Sequence, residues 1–520
     1  MTESSLIGFS RGIATDSTFT ARNPSSGDSL EPAFCHASEE DLAKACDLAA
    51  GAAPVMAGLS GAKKAEFLRD LAERIDGVVD ELVGSMTAET GLPEPRVRGE
   101  TGRTSAQLRM FAGLVEAGNW VDARIDRAQP ERQPLPKPDL RSMLRPVGPV
   151  AVFCASNFPL AFSVAGGDSA SAWAAGCPVI VKAHHAHPAT ALIVGRAVVE
   201  SVRACGLPEG AFSLIFGEGR TVGQALVAHP AVKAVGFTGS RAGGRALFDL
   251  ASQRPEPIPV FAEMSSVNPI FVMPGLGDAK MDEIATGLHG SATLGAGQFC
   301  TNPGIVLFPA GEQGERFVES FLSKMRETAA APMLHEGIRK AYGQGVETLA
   351  GREGVDLLLA PEETAGDGRC HATACVLTSD ARSFLSDESL LEEVFGPSTL
   401  LVSYEDSSEL NEVADALEGQ LTASVFGKEE NLPSYGPLLD ILETKAGRLL
   451  FNEFPTGVEV CGAVVHGGPY PATTDGRSTS VGTGAILRFA RPVCYQGFPE
   501  ELLPDELKDA NPMQIERTEA

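Results

Sequence analysis

The chain has 520 residues, enough for roughly three domains of about 100–200 residues with a large buried core. Its 42 basic and 68 acidic residues leave a net charge of −26, which repels a phosphate backbone and excludes nucleic acid as an expected partner. With 43% hydrophobic and 21% charged residues, 56 Gly and 35 Pro, the composition is globular and turn-rich rather than disordered or coiled coil.

The N-terminal MTESSLIGFSRG carries neither the basic region nor the apolar run of a secretory signal, so a cytoplasmic protein is expected. The 10 Cys are scattered without a CxxC pair, which suits reduced, mostly buried thiols. The segment QPERQPLPKPDL at 129–140 is too rich in proline for a central strand or a helix interior and reads as an arm or an interdomain crossing. Its expected mate is the strand-like tail RFARPVCYQGFP. The most apolar stretch, 147–167, contains Pro149, Asn157 and Pro159, so a buried strand and a helix over 158–175 are expected there, not a membrane span.

From 148 to 273 short β-branched runs alternate with small-residue helices: PVAVFC, VIVKA, FSLIFG, KAVGFTG and IPVFAE, with a crossover helix from Pro188 to before Gly206. These are βαβ units of a parallel sheet. The same grammar restarts after Met273, with helices near 279–293, 315–328 and 336–350 and strands IVLF, TLLVS, TASVFG and GRLLF; residues 352–385, rich in Gly, Asp and Glu, read as surface loops.

Five places carry chemistry. FTGSRAGG at 237–244 joins a strand to a helix through glycines, a turn that offers backbone N–H groups to a pyrophosphate, although it is not GxGxxG. GQFCTNPG puts Cys300 on a glycine-flanked loop, where a thiol can act as a nucleophile. Asn157, Lys182 and Glu263 stand at the ends of apolar strands, the edge of a parallel sheet where ligands bind.

In this order, SNFP, VIVK, FTGS, AEMSSVNP, GQFC and EEVFGP resemble the aldehyde dehydrogenase superfamily over about residues 15–500. Within it, the stretch from Asn157 to Pro188 and the C-terminal ending resemble the branch of 2,5-dioxopentanoate dehydrogenases; a related branch holds NADP-dependent long-chain fatty aldehyde dehydrogenases. The resemblance implies an α/β fold with a Rossmann-type cofactor domain (1–130 and 148–263), an α/β catalytic domain (264–465), and a small oligomerisation arm with the C-terminal tail (131–147 and 486–520). It implies a small aldehyde as substrate, a homodimer or homotetramer, and no membrane partner.

The resemblance also implies roles. Cys300 is the nucleophile, Asn157 holds the oxyanion together with the Cys300 N–H, and Glu263, its pKa raised by desolvation, activates water. Lys182 reaches the adenine ribose, Gly239 and Ser240 the pyrophosphate, and Glu393 and Phe395 the nicotinamide ribose and ring. His185 stands where many NAD-preferring relatives have a Glu, and Arg220 is available to a 2′-phosphate, so NADP is favoured with NAD as the alternative. Ser265 and Ser266 replace two glycines and narrow the nicotinamide site. Arg103 and Gln107, four apart on a helix beside the access tunnel, are expected to hold a carboxylate and a 2-keto group, with Phe158 as a further substrate contact. No metal is expected: His184, His185 and His187 read as a solvated loop. The rival readings are a non-redox cysteine hydrolase or transferase and a non-catalytic nucleotide-binding homologue.

Overall fold

A computed structural model describes residues 2–362 and 368–520. The β-branched runs of the first half form the parallel core of a seven-stranded sheet, ordered Val260–Glu263, Ala234–Thr238, Val150–Phe153, Val179–Lys182 and Phe212–Ile215, and closed by the antiparallel hairpin Leu6–Ile7 and Ser10–Arg11. The four strands on Val150–Phe153, Val179–Lys182, Phe212–Ile215 and most of Val260–Glu263 are buried on both faces because helices cover the sheet. The Pro188–Ala204 helix begins and ends as its sequence predicts, with Pro at N1 and Gly206 just beyond its end.

The second half forms another seven-stranded sheet, ordered Asp356–Leu359, Cys375–Asp380, Ser398–Tyr404, Ile305–Pro309, Ile270–Val272, Gln420–Phe426 and Ala446–Phe451. All of its pairs are parallel except Asp356–Leu359 with Cys375–Asp380. Two expectations are corrected. The 352–385 region is not all loop: DLLL and CVLTSD are strands and Ala381–Ser386 a helix, since short apolar runs pair there despite the acidic, glycine-rich average; residues 363–367 lie outside the described residues. The helix expected over 158–175 is confined to Gly167–Ala175, and the preceding residues form turns in which the Phe162 N–H donates to Phe158 O and the Gly167 N–H to Ala161 O.

Leu140–Pro146 pairs along its whole length with Ala490–Gln496, so the proline-rich region and the tail do meet in a four-stranded sheet with Arg124–Asp126 and Thr518–Glu519. The prolines themselves precede this strand, where no ladder N–H is required. The helix Glu94–Ala117 packs on Gly61–Gly77 and buries Val97, Thr101, Thr104, Leu108, Phe111 and Val115, which fixes its rotation and so which way Arg96, Glu100 and Arg103 face. Among the described residues no helix is long and apolar enough to cross a membrane.

Candidate active site

The carboxyl ends of the first sheet and the Cys300 loop of the second enclose a cavity of about 970 Å³. Asn157, Lys182, His185, Arg220, Gly239, Ser240, Glu263, Cys300, Glu393 and Phe395, each named from the sequence, all line it. Arg103, Gln107 and Phe158 do not line it; Arg103 and Phe158 lie on another side of the Cys300 loop, and Gln107 lies against Gly167.

The loop is built by left-handed backbone at Gly295, Ala296 and Gly297. A Cβ at Gly297 would collide with the carbonyl of Gly396, so glycine lets the nucleophile loop lie directly on the loop that carries Glu393 and Phe395. Asn268 secures the other side. Its Nδ2 donates to Cys300 O and Asn302 O, both at 2.9 Å, and to Ser266 O at 3.1 Å. Asn157 Nδ2 donates to Gln298 O at 3.1 Å, which places this amide two residues from the thiol.

Cys300 faces two carboxylates and one residue that motif reading passed over. His466 Nε2 lies 3.4 Å from Cys300 Sγ and 3.0 Å from Glu263 Oε1, while Ser480 Oγ donates to Glu263 Oε2 at 2.7 Å. Both His466 and Ser480 belong to the irregular segment after residue 451, which wraps over the strand Val260–Glu263: the Met264 N–H donates to Ala472 O and the Ala262 N–H to Thr474 Oγ1. A run of His before two glycines, HGGPYP, is the only sequence signal for it.

These contacts overturn the expected electrostatics of Glu263. Burial raises its pKa, but the charge and hydrogen bond of His466 and the Ser480 and Cys300 hydrogen bonds outweigh burial and hold the carboxyl below its ordinary value. The proton stays on sulfur instead. Burial, followed by the Glu263 and Glu393 carboxylates, raises the Cys300 thiol well above its usual range, and Arg103 opposes them.

At the other end of the cavity Lys182 is 6% exposed and makes no hydrogen bond among the described residues. Burial lowers its pKa to about 8, which the Cys154 and Glu218 charges partly resist. A buried amine without an acceptor is costly unless a ligand supplies one. The Gly239–Ser240 turn leads into the helix Arg241–Ser252, whose Ser240 cap accepts from the Gly243 N–H. A buried donor, a helix N-terminus and a long cavity between them fit a dinucleotide. Glu393 sits nearer Cys300; burial lifts its carboxyl to about 8 against the hydrogen bonds from Ser265 and Ser266. The expected narrowing by two serines is only half right. Ser265 lines the cavity, but the Ser266 hydroxyl turns into the core, bonding Asn268 Oδ1 and Gln420 Oε1 at 2.9 Å and accepting from the Leu421 N–H.

His184, His185 and His187 are a solvated loop only in part: His185 is exposed on a turn, the other two are not. His187 is fully buried with Nε2 at 2.8 Å from Ala155 O, His184 is half-buried, and His335, distant in sequence, joins them. Arg220 is exposed at the cavity rim with no ion pair among the described residues, and Glu218, on the same turn, supplies a carboxylate where His185 lacks one.

On the far side of Cys300, Phe158 packs edge-on to Phe299 with ring centroids 5.4 Å apart and to Phe162 at 5.3 Å. The Arg96 guanidinium lies 4.3 Å over the Phe158 ring and the Arg103 guanidinium 5.7 Å from it. The Nε atoms of both arginines are buried without a partner. Seven residues separate them on one helix face, yet Arg96 is not distinguishable in sequence from an ordinary surface charge. Glu100, between them, accepts from the Leu160 and Ala161 N–H groups at 2.9 and 3.0 Å, which ties the Phe158 turn to this helix. Gln107 does not share this role. It is 3% exposed and lies one turn further along the same face, against Gly167, with its Nε2 buried and unpartnered.

A family model described as the aldehyde dehydrogenase family matches residues 13–468. The chain is 49% identical over 518 residues to alpha-ketoglutaric semialdehyde dehydrogenase 2 of Azospirillum brasilense, covering 99% of this chain and 98% of that one. It is 47% identical to the alpha-ketoglutaric semialdehyde dehydrogenase of Acinetobacter baylyi, covering 88% and 86%. Among solved structures, the fold is similar to that of an NAD-dependent aldehyde dehydrogenase from Sinorhizobium meliloti, with a TM-score of 0.80 at 23% identity over 96% of each chain. A 3,6-anhydro-L-galactose dehydrogenase gives 0.81 at 21%, covering 95% of this chain and 100% of that one. The extent of the family match and the near-complete coverage of two close relatives show that the chain belongs to the aldehyde dehydrogenase family.

Proposed function

We propose that this enzyme oxidises 2,5-dioxopentanoate to 2-oxoglutarate with a nicotinamide dinucleotide, through a thiohemiacetal and a thioester on Cys300. The observation that carries the substrate reading is the pair of guanidiniums, Arg96 and Arg103, set on the aromatic wall of Phe158 with unpartnered Nε atoms. A desolvated carboxylate needs such partners, whereas a fatty aldehyde would favour an apolar face. The names of the two relatives described above, from Azospirillum brasilense and Acinetobacter baylyi, support the same substrate.

In this reading Glu263 takes the thiol proton, for which it is already hydrogen-bonded to Cys300. His466 then serves both partners, its Nε2–H reaching the carboxylate and the sulfur. The sulfur adds to the aldehyde carbon, and the oxyanion is held by Asn157 Nδ2 and the Cys300 N–H; one such donor is worth on the order of 100–1000-fold in rate. The chemistry a bound nicotinamide supplies is acceptance of a hydride from the thiohemiacetal carbon. Glu263 gives the thiol proton up to solvent, then draws a proton from a water that attacks the thioester; collapse of the adduct releases the acid and expels the Cys300 thiolate, which takes a proton back from Glu263. Lys182, Gly239, Ser240, Glu393 and Phe395 hold the dinucleotide. Residues 1–130 and 148–263 serve as the dinucleotide-binding domain, 264–465 as the catalytic domain, and 131–147 with 486–520 as an arm that seats a second subunit. The exposed Leu487, Phe498 and Leu502 suit that last role; light scattering showing a monomer at micromolar concentration refutes it.

NADP is the favoured cofactor because Lys182 and Arg220 offer charge to a 2′-phosphate, with Glu218 acting against it. The substrate assignment is tested with Arg103→Leu. A large loss of kcat/KM for 2,5-dioxopentanoate, with little change for an uncharged aldehyde of similar length, supports it; equal losses on both reject it.

A further inference from the structure

We propose that His184, His185 and His335 form a binding site for one divalent transition-metal ion of the zinc class, on the wall of the dinucleotide cavity. One ligand-capable atom of each residue lies within 4.8 Å of those of the other two. Zn–N bonds of about 2.0–2.1 Å in a tetrahedral site set nitrogens roughly 3.3–3.4 Å apart, so modest side-chain rotations close the triangle. The rings already face one another, with centroids 4.4 Å apart for His184 and His185, 5.1 Å for His185 and His335, and 5.7 Å for His184 and His335.

Three imidazoles meet here from two elements. His184 and His185 follow the strand Val179–Lys182, and His335 occupies the N-cap position of the helix Glu336–Ala350. Asn, Asp, Ser or Thr usually caps a helix through its side chain, but the His335 side chain makes no capping bond. Neither its ring nor that of His185 has a hydrogen-bond partner among the described residues, so both keep their lone pairs for a ligand. His184 Nδ1 accepts from the Ala186 N–H at 3.2 Å, a long bond that ligation through either ring nitrogen would give up. His187 stacks on His184 at 5.4 Å and fixes its plane from behind. The nearby charges oppose each other: the Lys182 ammonium disfavours a cation, while the Glu218 carboxylate, which acts on both His185 and Lys182, favours one. Three nitrogens with a fourth position open to the cavity suit zinc, copper, nickel or cobalt rather than magnesium or calcium. All three histidines and Glu218 line the cavity that holds Lys182, so ion and dinucleotide share one space, and any effect of one on the affinity of the other must be reciprocal.

A second cluster, Glu263, Cys300 and His466, also has ligand geometry, but it includes the thiol and belongs to the catalytic centre; the test separates the two. The full-length, metal-stripped, cofactor-free protein is titrated with Co²⁺, followed by displacement with Zn²⁺. The expected result is one saturable ion per chain with visible d–d bands and no thiolate-to-cobalt charge-transfer band. Binding persists in Cys300→Ala and weakens by at least about tenfold in both His335→Gln and His185→Gln. His185 is exposed, so its variant decides the matter if His335→Gln fails to fold. No saturable binding in the wild type, binding indifferent to both histidine variants, or binding lost in Cys300→Ala would each overturn the proposal. The readout is the ion itself, so the outcome does not depend on which aldehyde the enzyme oxidises.

Discussion

His466 offers the sharpest test of how the Cys300 centre works. Its Nε2 is 3.0 Å from Glu263 Oε1 inside a site where both side chains are nearly inaccessible, and its charge is the largest influence holding the Glu263 carboxyl down against burial. Replacing it with Ala leaves burial opposed only by Ser480 and Cys300, so the Glu263 carboxyl moves upward and protonates at a higher pH. A hydrogen bond to a charged group contributes ~1.5–3 kcal/mol, or roughly 10–150-fold in rate if it is all lost from the step that uses the base. The sign follows. In the wild type the base form persists into acid, whereas in His466→Ala activity falls first on the acid side and recovers as pH rises. The assay is steady-state kcat and kcat/KM against pH, with a thermal melt to confirm folding and His466→Gln as a partial rescue, because its amide can still donate. An acid limb that stays in place, with rates within about twofold of wild type, would show that His466 is only packing.

Cys300→Ala is expected to abolish turnover while dinucleotide binding, followed by fluorescence quenching, stays near wild type; residual turnover close to wild type would remove Cys300 as nucleophile. Glu263→Gln should still give a burst of reduced cofactor, slowed because Gln cannot take the thiol proton, after which the acyl-enzyme persists and can be seen as added mass on the intact protein; a normal steady-state rate at neutral pH would exclude Glu263 as the water-activating base. Arg220→Ala should raise the apparent constant for NADP and leave that for NAD almost unchanged, and Glu218→Gln should shift preference further toward NADP. Equal weakening of both cofactors by Arg220→Ala would make that arginine structural.

Sequence pattern reached the parts of the site that regular structure presents. Lys182 and Glu263 end buried strands, Ser240 caps a helix after a glycine turn, and Cys300 lies on a glycine-flanked loop that Gly295 and Gly297 open with left-handed backbone. The parallel strand order around them follows from short apolar runs separated by helices. His466 escaped because its segment has neither helical nor strand period, and its partner Glu263 is 203 residues away. His335 escaped for the same reason, since only the folded chain brings a helix cap beside the loop after Lys182. Ser265 and Ser266 look equivalent in sequence, yet adjacent side chains on extended backbone point opposite ways, so only one reaches the cavity. Arg103 and Gln107 share a helix face as their spacing requires, but four residues also advance the helix by about 6 Å, which sets Gln107 against Gly167 rather than on the aromatic wall.

The charges around Cys300 explain why the proposed substrate side carries two arginines. Glu263 and Glu393 both keep the proton on sulfur, and Arg103 is the guanidinium that opposes them. Burial lowers the pKa of Arg103 itself, a shift that Glu100, Cys300 and Glu459 resist and Arg96 reinforces. If a substrate carboxylate were to occupy Arg103 alone, it would screen the cation that favours the thiolate, and tighter binding would make the nucleophile weaker. Arg96, on the same wall and paired with Glu100 at 3.4 Å, allows the carboxylate to be shared so that Arg103 keeps part of its field at the sulfur. Arg448, whose charge is coupled to Cys300 and whose guanidinium donates to the Gly457 and Pro455 carbonyls, adds a second cation that the substrate need not touch. In the proposed substrate site, binding and activation are divided among different guanidiniums, and a single arginine on that wall would set them against each other.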